Sequence, residues 1–283
     1  SIFGIETTKF NNLIINNIEK KDSDIRVSLN KIKIKLDIKK IQIYLSTIEP
    51  QIVYQGIKIP IKEINLYTKI ISILKSKGEI NQAIIALENF KVKDIQKLSI
   101  RIKPSNFKNY LLNNLNNGKV ERVVVDIKLD KNLNIEEYKV NGSVSKIDVK
   151  VVDNRLIQDV SFNFISDKNL TLINSLNAKY QGISISNGSL SLNRNKQINI
   201  DGNFNSQLDL DEGSINELFT KIDEEFFKKI KLSIKGSLLH NFSLKIDENF
   251  KLIDYNYRSS GRILNSQIVL KENFKTDFIQ KPI

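Results

Sequence analysis

Cysteine is absent, so the chain has no disulfide framework, no thiolate zinc site and no cysteine nucleophile. That absence is compatible with an oxidising compartment. Histidine occurs once, at His240, which argues against His-based triads and leaves no multi-histidine metal site. Set between Leu239 and Asn241, it reads as a surface or hydrogen-bonded residue near a strand turn. The phosphate-binding, nucleophile-elbow and zinc-protease motifs are missing as well. No enzymatic activity, no cofactor and no metal is therefore expected. Arginine is scarce: of 44 basic residues seven are Arg and 37 are Lys. Nucleic-acid sites lean on Arg for bidentate and stacked contacts. The formal charge of +12 is thus read as AT-rich coding plus solvated strand faces, with an anionic-lipid surface as the next reading and no nucleic-acid partner.

Long apolar runs are also lacking. The start has no signal peptide, and the tightest apolar pieces, such as Ala83 to Leu87, are far too short to span a bilayer. Opening at Ser1 without Met and stopping after Pro282-Ile283, the sequence reads as a processed or partial chain, and any amino-terminal anchor is expected to lie outside it. Aromatics make up 8% and Pro four residues, yet 40% of the chain is hydrophobic, enough to fold as one large unit or two modest ones.

What is abundant is alternation. Ile32, Ile34, Leu36 and Ile38 alternate with Lys33, Lys35 and Asp37, and Ile41, Ile43 and Leu45 follow in the opposite phase. The pattern returns at Val123, Val125, Ile127 and Leu129, at Ile147, Val149 and Val151, and at Phe242, Leu244 and Ile246. A strand built this way puts apolar residues on one face and charges on the other, as in antiparallel sheets with one wet side. A weak repeat links Tyr54-Gln55-Gly56-Ile57-Lys58-Ile59 with Tyr180-Gln181-Gly182-Ile183-Ser184-Ile185. Apolar residues flank Gly142, Gly202 and Gly236 in a second pattern, which marks bulges, bends or close backbone approaches. Three helices are expected: Tyr67 to Lys75, Ser105 to Leu115, and Ser214 to Ile230. The last opens on a Ser214/Glu217 capping box. Acidic residues at Asp209–Glu212 and Asp223–Glu225 are read as dipole partners and a polar helix face. Sequons at Asn169, Asn187 and Asn241 are read as accidents of an Asn- and Ser-rich chain.

The run Ile32–Ile38, Ile41–Leu45, Pro50–Tyr54 and Ile57–Ile61, leading to a helix, resembles the amino-terminal module of AsmA-like envelope proteins, in the manner of the YhdP and TamB branches. The later Gly-centred strands, through Gly261, are similar to that family's repeating β-groove. The resemblance implies a mainly β fold: an elongated, curved antiparallel sheet forming a half-open groove, interrupted by a few short helices. It divides the chain into an amino-terminal module, residues 1–118, and a groove segment, residues 119–283, continuous with it. It also implies a periplasmic body anchored to the bacterial inner membrane, phospholipid acyl chains as cargo, and other envelope proteins as candidate partners. The family brings no catalytic residues. Residues in phase on the apolar side are the groove candidates: Ile34, Leu36, Ile43, Leu45, Val125, Ile127, Ile183, Ile185, Ile200 and Phe204. Two other functions suit the same pattern, a scaffold assisting outer-membrane protein assembly and a Lys-rich module binding anionic surfaces.

Overall fold

The computed structural model describes residues 4–8, 11–21, 23–37, 42–69, 80–99, 109, 112–132, 134–151, 155–194, 197–219, 230–247 and 251–270. The fold is mainly β: a 14-stranded antiparallel sheet that is not closed, a 3-stranded sheet, and a few short helices. The chain divides into two compact units, Ser1–Lys150 with Asn163–Thr171, and Val151–Phe162 with Leu172–Ile283.

The first unit contains β1 (Gly4–Thr7), α1 (Asn11–Lys21), β2 (Ile25–Ser28), β3 (Ile32–Asp37), β4 (Gln42–Ile48), β5 (Gln51–Tyr54), β6 (Ile57–Ile59) and β7 (Ile61–Lys69). It continues through β8 (Ile80–Lys91), α2 (Val92–Ser99), β9 (Leu115–Asn116), β10 (Lys119–Leu129) and β11 (Ile135–Lys150). Its large sheet runs β1-β3-β4-β7-β8-β10-β11, with β9 beside β11, and its small sheet runs β2-β5-β6. The alternation that makes these strands also decides what the small sheet covers. Ile32 is 2% exposed, and with Val27, Leu29, Ile52, Ile64 and Leu66 it lines an apolar cavity of 150 Å³. The Asn11 amide ties α1 to this corner by donating to the carbonyls of Leu29 and Asn30, at 2.9 and 2.7 Å.

The strands β12 (Leu156–Ser166) and β13 (Leu170–Tyr180) are divided between the units. The second unit continues through β14 (Ile183–Arg194), β15 (Ile198–Leu210), α3 (Glu212–Phe219), β16 (Ile230–Ile246) and β17 (Leu252–Leu270), each strand hydrogen-bonded to the next. Of its buried apolar residues, Leu210, Ile215 and Ile230 gather where α3 meets β15 and β16, while Val160 and Ala178 lie on β12 and β13.

The two Tyr-Gln-Gly repeats fold alike. Gln55 and Gly56 have φ of 48° and 79°, Gln181 and Gly182 have 45° and 79°, the signature of a two-residue hairpin turn whose twist matches that of its strands. Gly142, Gly202 and Gly236 sit at close approaches: a Cβ on Gly142 would come 2.6 Å from the Arg122 carbonyl oxygen, and one on Gly236 2.7 Å from that of Arg262.

The helices differ from expectation. Tyr67 lies inside β7, its ring stacked 4.9 Å from Tyr44 on β4; residues 70–75 lie outside the described residues. Of Ser105 to Leu115, residues 112–114 are helical, Leu115 begins β9, and nearly all the rest lies outside the described residues. The Ser214 helix begins earlier, at Glu212. The Asp211 carboxylate accepts from the Ser214 amide at 2.8 Å, so Asp211 is the cap and Ser214 stands inside the first turn. Those backbone and side-chain hydrogen bonds hold the Asp211 carboxyl below its ordinary range. Residues 220–229 lie outside the described residues. Helices α1 and α2 were not expected.

Candidate functional site

Because side chains alternate across a strand, register alone tells which residues share a face. In the first unit one face carries the row Ile34–Leu45–Leu66–Ala83–Ile127–Tyr138. Beside it runs Ile32–Thr47–Ile64–Ile85–Val125–Val140. Leu36 pairs with Ile43 at the other side of the first row. The six candidates Ile34, Leu36, Ile43, Leu45, Val125 and Ile127 therefore share one apolar face. The small sheet covers the Ile32 end; away from it Leu36 is 40% exposed, and Ile34, Ile43, Val125 and Ile127 are half-buried.

In the second unit the corresponding rows are Ile183–Leu208–Gly236–Ile263, Ile185–Ser206–Leu238–Gly261, Leu190–Gly202–Phe242–Tyr257 and Leu192–Ile200–Leu244–Tyr255. Phe204, paired with His240, stands between the second and third. All four candidates of this unit, Ile183, Ile185, Ile200 and Phe204, lie on that face and are half-buried. A sealed sandwich core would exclude water from such rows; here the burial is partial over most of their length.

The last strand is more open still. Every residue of β17 is exposed, Ile263 and Tyr257 each by 55%. Among the described residues β17 pairs on one side only, with β16.

The opposite faces carry the charge, much of it in pairs. Lys31 and Lys33 both reach Glu6, at 3.2 and 2.9 Å, and hold its carboxyl below the usual range. Lys35 lies over the Tyr44 ring, and Lys128 reaches Glu137 at 2.6 Å. A cavity of 760 Å³ in the first unit is lined by Lys128, Lys139 and Lys168 but also by Asp126, Glu136, Glu137 and Asp167. Such a mixed lining gives a polyanion no net attraction. A cavity of 590 Å³ in the second unit is lined largely by polar-phase residues, among them Asp201, Asn203, Asn241 and Arg258.

His240 departs from its expected place. It sits in the middle of β16 rather than near a turn, is 7% exposed, and faces the apolar side. Its Nε2 is 2.7 Å from Ser206 Oγ and its Nδ1 2.6 Å from Tyr257 Oη. Its position in the alternation Leu238, His240, Phe242 was the signal that could have placed it. The described residues contain no group of three or more acidic or histidine side chains suited to a metal, and no described helix is long and apolar enough to cross a membrane. No family model, curated protein or solved structure matches the chain.

Proposed function

We propose that this chain is a non-enzymatic carrier of phospholipid, whose acyl chains lie along the apolar sheet faces, in the bacterial envelope between inner and outer membrane. The observation that carries the reading is the set of mainly apolar rows, half-buried over most of their length and interrupted by Ser206 and His240, with an exposed strand at one end. A face of Ile, Leu, Val and Phe takes acyl chains at about 0.8 kcal/mol per buried CH₂. Contacts of this kind do not depend on which chain is present, so the carrier accepts acyl chains broadly. The envelope setting, periplasmic with an anchor in the inner membrane, rests on the AsmA-like resemblance of the strands from Ile32 onward.

The edge of β17 that is unpaired among the described residues favours a second reading, a scaffold that lends its edge to another protein's strand during outer-membrane assembly. The charged faces speak less for a module that binds anionic surfaces, since their lysines are interleaved with carboxylates.

Photo-crosslinkers at Ile43 and Ile200, followed by mass spectrometry of lipid co-purified under mild conditions, separate the first two readings. Phospholipid captured at both positions is the expected result. Capture of neighbouring protein segments alone, with no lipid retained, removes the carrier reading and leaves the scaffold.

A further inference from the structure

The buried imidazole on the apolar face links two hydroxyls of different accessibility. Ser206, on β15, is 2% exposed; Tyr257, on the outermost strand β17, is 55% exposed. Phe204 stacks on the imidazole at 4.4 Å between ring centres, and the Tyr257 ring stands at 5.9 Å. A neutral imidazole offers one N–H donor and one acceptor nitrogen. When Ser206 donates to Nε2, Nδ1–H donates to Tyr257 Oη, and the phenolic proton is left to point into the open face. A protonated imidazole donates to both oxygens and leaves the same phenolic proton free. An acceptor arriving at Tyr257 therefore suits both states, and it selects the direction of the relay.

The neighbourhood is poor in charge. On this face β15 presents Gly202, Phe204, Ser206 and Leu208, and β16 presents Leu238 and Phe242. Strand β17 adds Tyr255, Tyr257, Ser259 and Gly261, where the tyrosines are the titratable groups. From β14 come Ile185 and Leu190, with Arg194 at the far end opposite Ile198. Glu212 and Glu217 belong to α3 at the Leu210 end, beyond the rows Ser206–Leu238 and Leu208–Gly236. Asp201, Asp209, Lys235, Lys245, Asp254, Arg258 and Arg262 take the opposite phase. Burial accordingly holds the imidazole below its ordinary pKa, and among the described residues of β15, β16 and β17 no carboxylate shares its face to balance a proton placed there.

We propose that Ser206, His240 and Tyr257 form the head-group contact of the apolar face, receiving the phosphate of an acyl phospholipid at the Tyr257 hydroxyl. The inference rests on the lipid-carrying reading and adds the point at which the cargo's polar end is held. The phosphate accepts from Tyr257, and its charge offsets the imidazolium one hydrogen bond away. Lipid binding and proton uptake are thereby linked: the phospholipid binds more tightly as pH falls through the His240 pKa of the free protein.

The lone histidine makes the test direct, because imidazole ¹⁵N resonances of the labelled chain report one residue. The chain is titrated with monopalmitoyl phosphatidylglycerol below its micelle-forming concentration, with monopalmitoylglycerol, and with inorganic phosphate. Both lipids are expected to bind. Only the phosphate-bearing one raises the imidazole pKa, by about one unit, which corresponds to roughly tenfold tighter binding at low pH than at high. Inorganic phosphate, lacking an acyl chain, leaves the resonances in place. Tyr257→Phe, at an exposed ring, abolishes the pKa rise. If both lipids bind and neither moves the imidazole pKa, the relay is internal packing; this proposal falls while the carrier reading stands. An equal rise with inorganic phosphate assigns the site to the free anion and overturns the lipid head. If neither lipid binds, both readings fail together.

Discussion

Two glycines on β15 and β17 separate an open face from a filled one. A Cβ on Gly202 would come 2.5 Å from Leu190 Cδ2 and 2.7 Å from Phe242 Cζ, both far ends of side chains. On an open face those ends swing aside, so Gly202→Ala should cost less than about 1 kcal/mol; in a filled core it would cost about 1–3 kcal/mol. A Cβ on Gly261 would overlap the Ser237 carbonyl oxygen and stand 2.7 Å from Leu238 Cα, both backbone of β16. That backbone cannot turn away without breaking the ladder, so Gly261→Ala should cost at least about 1–3 kcal/mol. Urea titration of the two variants checks the order; equal, large losses would mean that the Gly202 face is filled. His240 adds a pH dependence of known sign. Its folded pKa is depressed by burial, so the unfolded chain binds the proton more readily. Stability is then full above the unfolded pKa, falls as pH drops below it, and levels off below the folded pKa. His240→Gln should flatten the urea midpoint across roughly pH 5 to 8, and an unchanged slope would show that other groups set it.

Element by element, the alternation told most and the interruptions least. Ile32–Leu36, Val123–Leu129 and Phe242–Ile246 read directly as strands because each keeps one phase. Other strands hide a change of phase: Ser175 and Asn187 have φ of 56° and 52°, and between Ser186 and Ser189 the register shifts so that Ile183 and Ile185 share a face with Leu190 and Leu192. Neither Ser nor Asn announces a bulge by itself, which is why Leu190 and Leu192 were missed as lining residues. Tyr67 suits a helical spacing as well as a strand, and its stacking on Tyr44, a long-range contact, decides the matter. At α3 the residue types were right and the cap one turn late: Asp211, not Ser214, meets the free amides. Asp211→Ala should therefore lower helix content while Ser214→Ala leaves it nearly unchanged, as far-ultraviolet circular dichroism would show. Strand position carries its own prediction. Among the described residues strand β15 is paired on both sides, by β14 and β16, whereas β17 is paired on one. Amide hydrogen exchange should run fastest along β17 and slowest along β15; equal protection would mean that the β17 edge is covered in solution.

For the molecule as a whole the question is what the charge of +12 does. A surface evolved to hold polyanions would gather its cations, and much of this one spaces them among acids: Lys62 meets Glu49, Lys179 meets Asp159, and Lys235 meets Asp209, each within 3.1 Å. Such pairs are exposed, and salt screens them within about 10 Å at ordinary ionic strength. On the proposed reading the positive excess serves solubility and distant attraction to anionic surfaces, and the work of holding acyl chains belongs to uncharged rows that salt scarcely touches. Replacing Lys58, Lys139 and Lys245, exposed lysines drawn from both units, by Gln should leave the amount of co-purified lipid nearly unchanged. Washing the chain at high salt should leave it unchanged too, whereas Ile200→Asp, a carboxylate set among the rows of the second unit, should remove most of the lipid with the fold retained. Quantitative lipid mass spectrometry on the three preparations decides it. A steep loss with salt and with the Lys variants, and none with Ile200→Asp, would transfer the function from the apolar face to the charged one.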